Sequence, residues 1–384
     1  MAREAEMLEF AEQIKPFLRE HRKQTEAERR IPQVIADKLI ASGVCRMALT
    51  RDVGGFETDP VVICQVIEAL AWAEASVAWT VWNNALPSYF ARFLAPDTRQ
   101  QIYGDPNTLL ASSTRSSGKA VVTDGGYTVS GRWSLVSGCQ LAEWLPVMCD
   151  IVDNDPAQAN SDGPETRLLW VRKQDFQILD TWHVLGLRGT GSHDITIDNL
   201  FVPEARCFSW TGVAVDDSAY SRLPIFTTMA AWCGCLCLGV AQAAHDAFRE
   251  IVETKVQADP TPALKMRDEV LTTIASTEYQ IESLRASIHA ALVPIRDASF
   301  AGDEITPQMR ARMWRATSTT AQQSKAVIHV LHTQAGTPAL YESSPLERAQ
   351  RDILAITQHI IMQPLHLANA GRATIGLPVQ SPIF

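Results

Sequence analysis

Hydrophobic positions recur at helical spacing from the first residues to about Tyr103. Leu8, Ala11, Ile14 and Leu18 form one stripe, and Ile31-Pro32 opens a second helix that ends at Gly43. Asp59-Pro60 reads as an N-cap followed by proline at the first helical position, and the helix it predicts, Val61 to about Ala75, is apolar nearly all round. A further apolar helix is expected over Ser76–Asn84 and a short one from Pro96 to Tyr103. From Leu109 to Phe208 the period changes to that of short strands broken by turns, with an exposed hairpin loop predicted at Asp153–Pro164. Helical spacing returns after about Leu223. It predicts helices over Phe226–Val256, Pro262–Ala291, Pro307–Gln334 and Pro345–Asn369, the last capped by Ser344 with Glu347 completing a capping box. The fold class is therefore α+β: a helical domain (residues 1–106), an antiparallel barrel- or sandwich-like β-domain (107–212) and a C-terminal four-helix bundle (213–384).

Within the β-region, Gly125–Cys139 reads as a hairpin whose second strand puts Trp133, Leu135 and Ser137 on one face. Such a face is a flat apolar wall with one hydrogen-bonding point, suited to a planar ring with a polar edge; an ordinary core tryptophan fits the same pattern. Gly186–Gly191 superficially resembles a phosphate loop, but no helix follows it. What is left is a polar turn carrying Arg188, Thr190, Ser192 and His193, either a contact for substrate or a neighbouring chain or a plain β-turn. Cys233 and Cys237 share a helical face while Cys235 points elsewhere, and no second cysteine pair or nearby His completes a site, so they read as small packing residues and no metal site is expected. Arg348 and Asp352 are i,i+4 neighbours suited to a surface pair, with His359 two turns further along the same stripe.

Charge and composition narrow the partners. The net charge of −9 argues against nucleic acid. No apolar run reaches the length of a membrane span and the N-terminal segment has no signal-peptide core, so a cytoplasmic protein with reduced thiols is expected. No Gly-x-Ser-x-Gly elbow supports a hydrolase.

Three segments in this order, GGYTVSGRWSLVSGCQLAEW, WHVLGLRGTGSHDITIDNLFVP and SPLERAQRDILAITQH, resemble the acyl-CoA dehydrogenase superfamily, most closely its flavin-dependent two-component monooxygenase branch. The resemblance implies a tetrameric enzyme with FAD or FMN lying against the β-domain under the C-terminal helices, reduced by a separate NAD(P)H:flavin reductase. It implies a C4a-hydroperoxyflavin formed with O2, stabilised by Ser137 near N5 and lined by Trp133. Ser112, Ser113 and Thr114 match the loop that bonds the pyrimidine side of the ring, and Arg351 joins the cofactor site. His359 matches a histidine beside flavin and substrate and is the expected acid/base.

Two departures shape the expected chemistry. The dehydrogenase base position falls on Ile360, which cannot take a proton, so a dehydrogenase or oxidase would need a displaced base. A second histidine of the phenol hydroxylases falls near Pro87, which widens the substrate from phenols to indoles, other heteroarenes, and sulfur or nitrogen compounds. Trp82, Asn84, Ser88 and Arg188 are the expected substrate contacts. A non-catalytic flavin-binding scaffold is the remaining alternative.

Overall fold

The computed structural model describes residues 2–152, 165–209, 211–215, 217–254, 263–381 and 383–384. The loop expected at Asp153–Pro164 and the start of the helix expected at Pro262 lie outside them.

The N-terminal helices are α1 (Ala2–Gln13), α2 (Lys15–Glu20), α3 (Arg22–Glu28), α4 (Gln33–Ser42), α5 (Pro60–Ala73), α6 (Ala75–Tyr89) and α7 (Pro96–Tyr103). The Asp59 carboxylate accepts from Val61 N at 2.8 Å, so the cap read from the sequence starts α5 as expected. Glu74 separates α5 from α6 and caps the latter through Ser76 N (3.3 Å). Helix α6 continues past Asn84 to Tyr89, through Pro87. Almost all its side chains are buried, so packing outweighs the backbone hydrogen bond that proline removes.

The central unit is one open seven-stranded sheet rather than an antiparallel barrel or sandwich. Its strands are β1 (Ser113–Thr123), β2 (Gly126–Val136), β3 (Trp144–Val152), β4 (Thr166–Arg172), β5 (Gln177–Leu179), β6 (His193–Pro203) and β7 (Cys207–Phe208), in the order β5-β6-β2-β1-β3-β4-β7. The β1–β3 pair is parallel, which corrects the all-antiparallel expectation; alternation along each strand is the same for both kinds of pairing and carries no information about direction. One face of the sheet buries its own apolar cluster, centred on Val129, Trp133, Val147 and Ile195.

The C-terminal helices are α8 (Ile225–Thr254), α9 (Asp268–Ala301), α10 (Pro307–Ala335), α11 (Pro345–Ile356) and α12 (Leu365–Thr374). Helix α8 is, by length and composition, apolar enough to cross a membrane, contrary to the sequence expectation. Here 83% of that stretch is buried inside the protein, packed against α5, α6, α9, α10 and α11. It carries Cys233, Cys235 and Cys237, all fully buried. The single last helix expected from Pro345 to Asn369 is two, joined by a 3-10 turn at Ile360–Met362. The capping box expected of Ser344 and Glu347 does not form: Ser344 makes no side-chain cap, and the Glu347 carboxylate accepts from Arg351 instead (2.5 and 3.0 Å).

Glycines let Trp133 nest between strands. A Cβ at Gly118 would overlap the Trp133 ring, and one at Gly131 would press on Gly118 Cα at 2.5 Å. Gly118→Ala is therefore expected to destabilise the protein by about 1–3 kcal/mol through overpacking, read as a lower midpoint in urea unfolding with an unchanged slope.

Candidate active site

The end of β2 does not alternate as its sequence suggests. Trp133 pairs with Ile195 and Val136 with His193, so β2 carries one extra residue over this interval. The extra residue forms a bulge in which Leu135 takes a left-handed conformation (φ 61°). Trp133 and Val136 consequently both turn into the sheet core, while Leu135 is 54% exposed. Trp133 has no exposed surface and donates Nε1–H to Met148 O at 2.7 Å. The wall expected from Trp133, Leu135 and Ser137 together is thus corrected: Leu135 offers the open apolar surface, and Trp133 is core.

Ser137, just past the bulge, is buried in a chain of hydrogen bonds. Trp79 Nε1 of α6 donates to Ser137 Oγ (2.9 Å). Ser137 Oγ lies 2.7 Å from Ser192 Oγ, which lies 2.6 Å from Thr190 Oγ1, and Thr190 Oγ1 donates to Leu187 O (3.0 Å). Thr190 and Ser192 belong to the Gly186–Ser192 turn, whose plain β-turn alternative gives way to a 3-10 turn with left-handed residues at Leu187 and Gly191. Antiparallel pairing brings the start of β1 beside the end of β2. There Ser112 and Ser113 are buried, Thr114 is half-buried, and Ser113 Oγ has no hydrogen-bond partner among the described residues.

His359 is not on the helical stripe of Arg348 and Asp352. Helix α11 stops at Ile356, and His359 caps the following 3-10 turn, where its Nδ1 accepts from Ile361 N (3.3 Å). A neutral ring accepting at Nδ1 carries its proton on Nε2. The ring meets Trp79 edge-on with centroids 5.4 Å apart, and Trp82 at 5.1 Å. Surrounded by these rings, His359 is pushed by burial down to about 4, so it is neutral at physiological pH. One indole, Trp79, therefore touches Ser137 with its N–H and His359 with its ring; the sequence reading did not single it out, since helical spacing marks it only as apolar.

The expected substrate contacts on α6 have their polar groups engaged within the fold, which corrects that expectation. Trp82 Nε1 donates to Met229 O (3.0 Å), Asn84 Nδ2 to Leu110 O (3.2 Å), and Ser88 Oγ to Asn84 O (2.8 Å). Trp82 still presents its ring to His359. Asn83, one turn on from Trp79, has a buried Oδ1 without a partner among the described residues. Arg188 donates to Val184 O (3.1 Å).

Arg351 sits beside the site as a clamp. Besides Glu347, it donates to Glu26 (3.0 Å) and to Leu185 O (2.9 Å). Its cofactor-binding role expected from the sequence is therefore replaced by a positioning one, since these bonds hold the 185–187 loop on α11. Asp352 accepts from Leu187 N (2.7 Å), and no Cβ fits at Gly186 because it would enter the Arg351 backbone. Arg348 is not in a surface pair with Asp352; it reaches Glu26 (3.2 Å) and Glu74 (3.4 Å) in a buried charge cluster. Burial, then the nearby Glu74, pushes the Asp352 carboxyl up to about 7. Two open clefts of about 460 and 640 Å³, near Asp37 and Lys173 and near Arg46 and Gly54, include none of these residues.

Known proteins share this arrangement of domains. A family model for the acyl-CoA dehydrogenase N-terminal domain matches residues 3–103, and one for the acyl-CoA dehydrogenase C-terminal domain matches residues 231–364. Indole-3-acetate monooxygenase of Pseudomonas putida is 28% identical over 351 residues, spanning 91% of this chain and 88% of that protein. The flavin-dependent monooxygenase oxygenase subunit HsaA of Rhodococcus jostii (strain RHA1) is 27% identical over 384 residues, spanning 95% and 97%. The crystal structure of 3-HSA hydroxylase from Rhodococcus sp. RHA1 has a TM-score of 0.90 at 26% identity, covering 99% of each chain. With both family models placed on either side of the sheet and relatives matching along nearly the whole length, the chain belongs to the acyl-CoA dehydrogenase superfamily and, within it, to the flavin-dependent monooxygenase branch of oxidoreductases.

Proposed function

We propose that the protein is the oxygenase of a two-component system. It takes up reduced FMN or FAD from a separate NAD(P)H:flavin reductase and uses O2 to hydroxylate a small aromatic or heteroaromatic substrate. The observation that carries this reading is Trp79, which joins the Ser137 hydroxyl and the neutral His359 imidazole into one site. The relatives' names support it, one being an oxygenase subunit and another an indole-3-acetate monooxygenase.

The residues present fit a flavin. Leu135 offers apolar surface to a ring face, Ser137 keeps an acceptor site, and Ser113 has a buried hydroxyl waiting for a partner. Bound in reduced form, a flavin supplies the two electrons that activate dioxygen. The chain does the rest. Trp79 and Trp82 wall the site with apolar rings and exclude water, His359 holds a proton at Nε2 for an oxygen atom, and Asn83 Oδ1 accepts from a substrate N–H or O–H. Ile360, at the position matching the dehydrogenase base, is 58% exposed and has no group that takes a proton.

Mixing the protein with chemically reduced flavin, oxygenated buffer and a panel of indoles and phenols is expected to yield an oxygenated product. Ser137→Ala is expected to divert the electrons into free hydrogen peroxide. Bleaching of the oxidised flavin by an acyl-CoA panel, with no reductase present, would return the protein to the dehydrogenases.

A further inference from the structure

The hydrogen-bond chain through Ser137 has a direction. It begins at Trp79 Nε1, which only donates, and ends at Leu187 O, which only accepts. Four links lie between them, and among the described residues the protons that fill these links are those of the indole and the Ser137, Ser192 and Thr190 hydroxyls. All four links are filled in one way alone: Thr190 donates to Leu187 O, Ser192 to Thr190, Ser137 to Ser192, and Trp79 to Ser137. The far end is fixed, because Leu187 is held through its N–H by Asp352 and its carbonyl also accepts from Trp182 Nε1 (3.1 Å). Ser137 thus has its proton committed to Ser192 and one lone pair left over.

We propose that Trp79, Ser192 and Thr190 are positioning residues that make Ser137 an obligate acceptor, so that the site selects the reduced, N5-protonated flavin over the oxidised one. This inference rests on the flavin reading given above. Reduced flavin carries an N–H at N5 that the free lone pair of Ser137 can accept. Oxidised flavin carries a lone pair there, and Ser137 can donate to it only by breaking its link to Ser192. An oxygenase served by a separate reductase gains from this bias, since it takes up the reduced cofactor and releases the oxidised one after turnover.

Ser192→Ala and Thr190→Val both remove the polarity without touching Ser137. In the first, Ser137 loses its acceptor and its proton turns free; in the second, Ser192 has no fixed acceptor and can donate back to Ser137. Anaerobic titration of the wild-type protein with FMN, FMNH2, FAD and FADH2, followed by the two variants, tests the inference through the ratio of oxidised to reduced dissociation constants. The wild type is expected to bind the reduced form the tighter, and both variants to lower the ratio by about tenfold, the scale of one hydrogen bond. The midpoint potential of bound flavin should fall in step, by about 30 mV for each tenfold. A ratio unchanged in both variants, with binding intact, overturns the inference and leaves the flavin reading standing. A wild-type protein that binds no flavin in either state overturns both.

Discussion

His359→Ala is expected to lower turnover by about 10²–10³-fold, the scale of losing one placed donor in a dry site. His359→Gln, which keeps an N–H near the same point, should recover part of the loss, an outcome that simple collapse of the pocket would not give. The pH profile separates this role from that of an ordinary histidine base. Burial holds the imidazole down at about 4, so the wild-type rate should show no inflection from His359 between about pH 5 and 8. The same shift has a sign for stability. The unfolded chain protonates this histidine near its ordinary value, whereas the native state does so only near 4. Between these values the unfolded state binds more protons, so the contribution of His359 falls as the pH is lowered through that window. Steady-state rates and urea unfolding of wild type and His359→Gln between pH 5 and 8 measure both effects.

Arg348→Met is expected to cost about 3–5 kcal/mol of stability, because it leaves buried carboxylates without their counter-charge. Among the described residues Glu74 Oε2 makes no hydrogen bond and is held by charge, from Arg348 at 3.4 Å and Arg22 at 3.7 Å. Glu74 also caps α6, the helix that carries Trp79 and Trp82, so the loss should reach the site as weaker flavin binding. The deficit should depend on pH. Asp352, raised to about 7 by burial and Glu74, binds its proton in the native state well before the unfolded chain does. The native state therefore holds more protons between about pH 4 and 7, and this group adds stability as the pH falls through that range. Arg348 opposes that rise, so its removal lifts Asp352 further. Thermal unfolding of Arg348→Met should show the largest deficit at pH 8 and a smaller one at pH 5; an equal deficit at both would show that Asp352 does not titrate there.

Much of the fold was legible because long amphipathic helices and alternating strands carry their burial in their spacing. The Asp59 cap and the placement of a β-region between two helical ones follow from local pattern. Spacing places Ser137 on a strand face and His359 on a helical stripe, but only the resemblance to a family gives them their roles, and the structure joins them through Trp79. Misreadings arose where one residue changed the geometry of those after it. The bulge at Leu135 put Val136 instead of Leu135 on the core face with Trp133, and the end of α11 at Ile356 moved His359 off its stripe. Arg348 and Asp352 read as a surface pair because helical spacing records only neighbours on the same helix, whereas Glu26 and Glu74 arrive from α3 and the α5–α6 junction.

The sequence by itself determined the three-part order of the chain and the helices and strands that build it, and its resemblance to a family named the residues expected to meet a flavin. The order and the elements depend on local periodicity, which each segment carries alone. Tertiary structure decided the parallel β1–β3 pairing, the choice of Leu135 over Trp133 as the open surface, and the meeting of Ser137 with His359 across Trp79. It also decided the direction of the protons at Ser137. That direction needs a donor from α6 and an acceptor from the turn before β6, more than a hundred residues apart along the chain, and only packing puts them at opposite ends of one chain of hydroxyls.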